Sequence, residues 1–162
     1  STKSLSNVPK LEKMVFLGGE PLMNRRYLRF LESIDKQDLD LTIITNGMFK
    51  PTDQWKNSWR GCKHVKFFVS IDGYKELNEE VRQGSKWDVI VDTVTELEKE
   101  WHVIINTVIH KKNLHGIYIL RDWVKNRSWQ INLLTYPKHL RISLDEEQKI
   151  TKEFHKYFDY PI

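Results

Sequence analysis

The sequence predicts an α/β fold, namely a partial (β/α) barrel of about five parallel strands that alternate with helices. Short runs rich in β-branched and aromatic residues recur along the chain at intervals of roughly 25 to 35 residues, the spacing of βαβ units. The stretches between them carry apolar side chains three or four positions apart, as amphipathic helices do. A parallel sheet built in this way gathers the carboxyl ends of its strands at one edge.

The first predicted strand, residues 14–17, ends at two glycines, a carboxylate and a proline. Gly18-Gly19 lets the backbone leave the strand in a conformation that side chains disfavour, and Glu20 then stands at the strand's carboxyl end. Ligands bind at that end in parallel α/β sheets. The apolar period predicts one helix over residues 22–34, with Phe30 on its apolar side.

The later elements follow from the same signals. Thr52 or Asp53 is the predicted cap of the second helix, because a short polar side chain bonds the free N–H groups of a helix start. Ser85 and Asn113 are the predicted caps of two later helices. We place the later strands at residues 41–45, 65–71, 102–109 and 131–134, and the later helices at 52–60, 76–81, 86–99, 114–125 and 145–157.

Length and composition indicate a single globular domain. The chain has 162 residues, of which 40% are hydrophobic and 30% charged, and this balance excludes a disordered chain. We divide the domain into a barrel-like core, residues 1–136, and a helical extension of it, residues 137–162. No apolar run reaches the roughly 20 residues of a membrane span. We therefore expect a cytoplasmic protein without a membrane partner.

Charge and residue usage limit the kinds of partner and of metal site that the sequence predicts. The net charge of +4 permits nucleic acid but does not favour it, since Lys and Arg are spread along the chain. Trp87 and Trp123 fall on apolar helix faces, which favours core packing over base stacking. The six histidines are scattered, which favours structural or solvent-facing roles over a shared metal. Cys62 is the single cysteine, so this chain alone holds no disulfide and no multi-cysteine metal site.

Polar side chains are expected together at the carboxyl edge of the sheet. Carboxylates bind an amino group or pairs of hydroxyls, and Gly18-Gly19 permits close approach of the backbone to a ligand. The edge is therefore suited to a zwitterion or a ribose. The alternative is that these residues only cap helices and close turns. The residues in question are Glu20, Thr45, Asn46, Ser70, Asp72 and the segment 106–108.

Three strings at successive strand ends resemble the motifs of the radical S-adenosylmethionine (radical SAM) superfamily. They are Gly18-Gly19-Glu20-Pro21-Leu22, Thr45-Asn46-Gly47 and Val69-Ser70-Ile71-Asp72-Gly73. The later stretches 81–84 and 106–109, followed by Asn113, match as well. Any one motif is weak, whereas three in order on successive strands are fairly specific. The resemblance covers roughly residues 15–134.

The resemblance implies that the carboxyl edge binds S-adenosylmethionine. Glu20 and the backbone of Gly18 and Gly19 would hold the methionyl ammonium. Thr45 and Asn46 would approach the cofactor from the next strand. The remaining implied contacts are Ser70 and Asp72 near the ribose or the methionyl carboxylate, Arg82 as a partner of that carboxylate, and Val108 under the adenine.

One departure from the family is large. The family binds a four-iron, four-sulfur (4Fe-4S) cluster through a CxxxCxxC loop upstream of the glycine-glycine-glutamate motif. Here 17 residues precede Gly18 and none is a cysteine, while Cys62 lies between the second and third matching strands. Cys62 is then a small core or surface residue. The sequence is interpreted as a fragment of a full enzyme; a piece that works with a cluster-bearing partner and a degenerate homologue are the alternatives.

In the intact protein, the resemblance implies reductive cleavage of S-adenosylmethionine at a 4Fe-4S cluster and hydrogen abstraction from a substrate. It also implies an electron donor and a small-molecule or peptide substrate that the sequence does not identify. This chain alone would be inactive, and we assign it no catalytic residue and no metal ligand. The alternative is a non-catalytic α/β binding or scaffold module that uses the same edge.

Overall fold

The structure, a computed structural model, describes residues 11–158, and over this range it consists of one parallel sheet with helices between its strands. The predicted core and extension, residues 1–136 and 137–162, each run beyond this range. The strands are β1 (Lys13–Phe16), β2 (Asp40–Thr45), β3 (His64–Ser70), β4 (His102–Ile109) and β5 (Ser128–Leu133). The α-helices are α1 (Arg25–Ser33), α2 (Asp53–Arg60), α3 (Glu76–Val81), α4 (Trp87–Leu97), α5 (Ile117–Val124) and α6 (Leu144–Glu153).

The strands lie in the sheet in their order along the chain, and each neighbouring pair is parallel. Right-handed crossovers place the connecting helices on one face of such a sheet. Among residues 11–158, β1 and β5 each pair with one neighbour, so the sheet does not close. The predicted partial (β/α) barrel is confirmed. No helix within this range is long and apolar enough to cross a membrane.

Alternate strand residues face the helices and form the core. Phe67 of β3 and Trp59 of α2 are completely buried there and meet edge-on, with 4.9 Å between ring centroids. Trp87 and Trp123, both predicted core residues, also meet edge-on with centroids 4.9 Å apart. Burial of each large apolar side chain contributes about 1.5–3 kcal/mol, so this layer holds the helices against the sheet.

The other residues of the strands form the opposite face of the sheet. Phe68 and Ile104 on this face are buried, although they lie outside the helix-facing core. One step closer to the carboxyl edge, Ser70, Asn106 and Gln130 lie in register on β3, β4 and β5. This second face therefore changes from apolar to polar toward the edge that carries the motifs.

The predicted helix over residues 22–34 is interrupted. It breaks at Asn24, whose side chain caps α1, and the residues before it form a single 3-10 turn. The cap satisfies a free N–H group at the start of α1. In a continuous helix that N–H group would bond within the helix and would need no cap. The prediction for Phe30 was wrong, since its exposed fraction is 42%. Leu28 and Leu31 occupy the core-facing positions of α1 instead.

Of the predicted helix caps, Thr52 is confirmed, because its hydroxyl accepts a hydrogen bond from the N–H of Trp55. The prediction for Ser85 was wrong. Helix α4 begins after Lys86 without a side-chain cap, and the Ser85 hydroxyl instead donates to the carbonyl of Asn78 at 3.4 Å.

The ends of the last two elements differ from the prediction. Strand β5 starts at Ser128 rather than at residue 131. The prediction missed its first residues because polar side chains on the second face interrupt the apolar pattern of the sequence. Helix α6 starts after Ser143, which forms a capping box with Glu146. It ends at Glu153, and a 3-10 turn follows within the predicted range 145–157.

Gly47 offers a test of how tightly the turn after β2 is packed. It has a φ of +75°, and an added Cβ would lie 3.0 Å from Val69 Cγ1 and 3.2 Å from Ile90 Cγ2. We expect Gly47→Ala to lower the free energy of unfolding by about 2–4 kcal/mol, because backbone strain adds to the packing conflict. The control is Gly84→Ala, where φ is +86° but nothing lies within 4 Å. It should lose only about 1 kcal/mol in urea unfolding, and equal losses would contradict the packing argument.

Candidate functional site

The carboxylate of Glu20 connects the ends of β1 and β2. Its Oε1 accepts hydrogen bonds from the N–H of Leu22 at 3.1 Å and from the hydroxyl of Thr45 at 2.8 Å. Its Oε2 accepts one from the N–H of Asn46 at 2.9 Å. Three donors therefore fix the carboxylate, and Oε2 retains acceptor capacity for a further donor.

The turn before Glu20 leaves open space beside the backbone. Gly18 and Gly19 have φ values of +85° and +56°, which favour glycine. A Cβ added at either position would meet nothing within 4 Å. Both glycines are exposed and Glu20 is half-buried. A ligand can therefore reach the backbone of the turn, and the carboxylate of Glu20 is not closed off from solvent.

Asp72 connects the ends of β3 and β4. Its Oδ1 accepts a hydrogen bond from the N–H of Val108 at 2.7 Å. Its Oδ2 lies 2.8 Å from Nε of Arg82, in an ion pair whose arginine side chain is 28% exposed and whose aspartate side chain is 8% exposed. Asp72 thus pairs with the inner nitrogen of the Arg82 guanidinium by charge, without a hydrogen bond of good geometry, since Nε has no hydrogen-bond partner among the described residues. That geometry leaves the terminal nitrogens of Arg82 for an anionic group.

Two buried asparagines position the loop of Asp72. The side-chain oxygen of Asn78 accepts from the N–H of Asp72 at 2.8 Å. The amide nitrogen of Asn113 donates to the carbonyls of Asp72 and Val108 at 2.8 and 2.9 Å, and its oxygen accepts from the N–H of His110. The predicted capping role of Asn113 was wrong, because these three bonds take its side chain away from the helix start.

The sequence-predicted residues thus form two groups at the carboxyl edge. In the first group Glu20 accepts hydrogen bonds from Thr45 and from Asn46, and in the second Asp72 contacts Arg82 and Val108. Ser70 lies on β3, half-buried, beside Asn106 of β4. Their roles toward a cofactor stay predictions. Sequence reasoning missed Asn78, and the signal for it was weak, because a helical asparagine six residues after Asp72 has many possible roles.

His110 is buried beside this second group. Burial lowers the pKa of its imidazole below the ordinary value of 6.5, and the nearby carboxylate of Asp72 opposes this only in part. Its Nδ1 accepts a hydrogen bond from the N–H of Lys112 at 3.2 Å, which fits the neutral ring. His110 is therefore a neutral structural residue at pH 7.

The pKa of His110 predicts a pH dependence of stability. The unfolded chain binds a proton at about 6.5, while the folded chain binds it only at lower pH, so stability is complete above 6.5 and falls below it. We expect the urea midpoint to drop between pH 7 and 5.5 in the wild type but not in His110→Asn. The exposed His115→Asn is the control and should keep the wild-type drop. The carboxyl groups of Glu96 and Glu100 do not contribute to this change. Lys56 and Arg60 lower their pKa values, so these groups affect stability only at a pH below the range of the experiment.

The described residues provide no site for a metal ion or a cluster. Within residues 11–158 no group of three or more His, Cys, Asp and Glu side chains is placed to hold a metal ion. Cys62 is half-buried at the amino-terminal side of β3, and burial raises the pKa of its thiol. This thiol is far along the chain from the Glu20 turn and protonated at neutral pH. The residues of this range therefore do not fit a 4Fe-4S cluster.

The fold is similar to solved structures, although no family model and no curated protein matches the sequence. SuiB of Streptococcus suis bound to S-adenosylmethionine is similar with a TM-score of 0.70 and 19% identity, over 90% of this chain and 34% of SuiB. TYW1 with a lysine-pyruvate adduct bound is similar with a TM-score of 0.63 and 17% identity, over 92% of this chain and 51% of TYW1. These neighbours are radical SAM enzymes.

The chain shares the fold of these radical SAM enzymes. The resemblance that the three strand-end motifs indicated is thereby confirmed at the level of the fold. A second structure of Streptococcus suis SuiB gives a TM-score of 0.68 with 19% identity, over 90% of this chain and 36% of that one. The chain spans about a third to a half of the length of these radical SAM neighbours.

Proposed function

We propose that this chain is the S-adenosylmethionine-binding portion of a radical SAM enzyme whose cluster ligands come from outside this sequence. The observation that carries the proposal is the Glu20 carboxylate. It accepts three hydrogen bonds, one from the turn that follows it and two from the end of β2. The backbone of Gly18 and Gly19, which precede it, has open space where a Cβ would stand. A fixed carboxylate with spare acceptor capacity is suited to an ammonium group.

The residues present fit the cofactor chemically. In this proposal Glu20 accepts a hydrogen bond from the methionyl ammonium, and the backbone of Gly18 and Gly19 also contacts this group. The terminal nitrogens of Arg82, whose guanidinium is ion-paired with Asp72, bind the methionyl carboxylate. Ser70 bonds the ribose, and the half-buried Val108 side chain packs against the adenine. Each of these contacts is a role for a side chain that already has a defined place at the carboxyl edge.

In this proposal the cluster is held by residues outside this sequence. It would supply the electron for reductive cleavage of S-adenosylmethionine, which would lead to hydrogen abstraction from the substrate. We propose an electron-donor protein and a small-molecule or peptide substrate as the partners of the intact enzyme. We also propose the cytoplasm as its location, because reducing conditions preserve cysteine thiolates for a cluster.

The proposal is tested by ligand binding to the 162-residue chain. Equilibrium dialysis compares S-adenosylmethionine with 5′-methylthioadenosine, which keeps the nucleoside but lacks the amino-acid part. We expect S-adenosylmethionine to bind at least about tenfold more tightly, since its ammonium and carboxylate each gain a charge-assisted contact. Equal affinities, or no binding of either compound, would contradict the proposal.

The coding sequence upstream of Ser1 provides a second test. Three cysteines in CxxxCxxC spacing there would support the enzyme. A start codon without those cysteines would instead favour the binding or scaffold module, because no residue set within 11–158 fits the cluster.

A further inference from the structure

The second face of the sheet holds an amide whose acceptor is not used. Gln130 lies between Trp129 and Ile131, which belong to the helix-facing core, so its side chain points to the opposite face of β5. Only 7% of the residue is exposed. Its Oε1 is buried and has no hydrogen-bond partner among the described residues. A buried amide oxygen in this state destabilises the folded chain, so its presence needs a physical reason.

The neighbours of Gln130 are polar and uncharged. Asn106 lies opposite it on β4, and Ser70 lies opposite Asn106 on β3. Asn132, two residues along β5, donates its amide hydrogen to Oδ1 of Asn106 at 2.8 Å rather than to Gln130. Ser70, Asn106 and Asn132 are half-buried, so this layer opens toward the carboxyl edge of the sheet. The four side chains form what we call the amide layer.

The chemistry of the amide layer restricts what it can bind. The unpaired oxygen needs an N–H or O–H donor, and the amide of Gln130 carries its own donor next to that oxygen. A group with a donor beside an acceptor, such as a primary carboxamide, matches this pair with two parallel hydrogen bonds. A cationic or anionic group is disfavoured, because none of the four side chains carries a charge to offset its desolvation.

We propose that Gln130 is a specificity-determining residue, which binds a neutral carboxamide-type group of a second ligand on this face of the sheet. The inference rests on the proposed function, since it takes this edge to be the ligand-binding side. It assigns Gln130, Asn106 and Asn132 of the amide layer to the substrate, while Ser70 at the β3 end of the layer contacts S-adenosylmethionine. The ligand would supply the hydrogen bond that the chain itself does not make.

Stability gives the first test. In Gln130→Met the side chain keeps its length but loses the unpaired acceptor, so the urea midpoint of the ligand-free chain should stay the same or rise. The exposed Gln148→Met is the matched control. A clear fall of the midpoint in Gln130→Met alone would show that Gln130 serves the fold, and this would overturn the proposal.

Binding gives the second test, by saturation-transfer NMR titrations of three similar probes against the full chain. Benzamide has the donor and the acceptor, acetophenone has the acceptor alone, and benzoate is charged. We expect benzamide to bind at least about threefold more tightly than the other two, and to lose that advantage in Gln130→Met but not in Gln148→Met. Equal binding of the three probes, or an unchanged benzamide affinity in Gln130→Met, would overturn the proposal.

The two proposals fail separately. If Gln130→Met binds S-adenosylmethionine like the wild type while benzamide selectivity is lost, both proposals are supported. If S-adenosylmethionine does not bind but Gln130-dependent benzamide selectivity is present, the amide layer is a ligand site and the proposed function is wrong. If S-adenosylmethionine binds and the probes do not discriminate, the inference about Gln130 alone is overturned.

Discussion

Replacement of Glu20 by glutamine should weaken S-adenosylmethionine binding by about 10- to 100-fold and leave 5′-methylthioadenosine binding unchanged. The substitution keeps the size of the side chain but removes the charge that pairs with the ammonium, and a charge-assisted contact is worth roughly 1.5–3 kcal/mol. 5′-Methylthioadenosine lacks the whole amino-acid part, so it reports on the nucleoside part of the site. Equilibrium dialysis of both compounds against both chains measures the effect.

A control is needed because the Glu20 carboxylate also accepts three hydrogen bonds from the protein. Glu12→Gln removes the same charge from an exposed position and should leave both affinities unchanged. The urea midpoints of the variants show whether the turn itself is damaged. A parallel loss for both ligands would mean that Glu20 shapes the edge rather than binds the ammonium, and this would contradict its assignment.

Replacement of Asn113 by alanine should lower the free energy of unfolding by about 3–5 kcal/mol. The change leaves the carbonyls of Asp72 and Val108 and the N–H of His110 without their side-chain partner, and each buried unpaired group destabilises by roughly 1–3 kcal/mol. This is a large part of the roughly 5–15 kcal/mol that is typical for a whole domain. Urea unfolding followed by circular dichroism measures it.

Asn57→Ala is the matched control for this prediction. Asn57 is exposed on α2, and its side-chain oxygen accepts a hydrogen bond from Arg60 of the same helix. We expect its unfolding free energy to stay within about 0.5 kcal/mol of the wild type. If Asn113→Ala is no more destabilising than this control, the junction between the β3 and β4 ends does not depend on Asn113.

Local signals were sufficient for the positions of the site residues. Glu20, Thr45, Asn46 and Asp72 each follow an apolar run, and strand parity and parallel pairing bring such residues to one edge without any further information. Their partners were not predictable, because the bond between Glu20 and Thr45 spans 25 residues and depends on register. Asn113 shows the same limit. An asparagine just before a helix is a local signal for a cap, whereas one of the carbonyls to which its side chain donates, that of Asp72, lies 41 residues away in the sequence.

The polar residues of the sheet were harder to place from the sequence than the apolar ones. Gln130 was left outside the predicted fifth strand, because an amide next to Trp129 breaks the run of apolar residues that marks a buried strand. The helical period failed in a similar way at Phe30, because the apolar residues of this segment span a wider face of α1 than the face that packs against the sheet. Both errors arise where a side chain's environment is set by residues that are distant in the sequence.

The sequential order of the strands has a consequence for folding kinetics. Each strand pairs only with the strands before and after it in the chain, so every stage of assembly closes a loop of similar, moderate length. A nucleus formed at β2–β3 or at β4–β5 can grow outward by adding one βα unit at a time. The terminal strand β1 has four residues and one partner, so its amide hydrogens should exchange before those of β3. Folding of this kind suits growth of the sheet by further units at either edge.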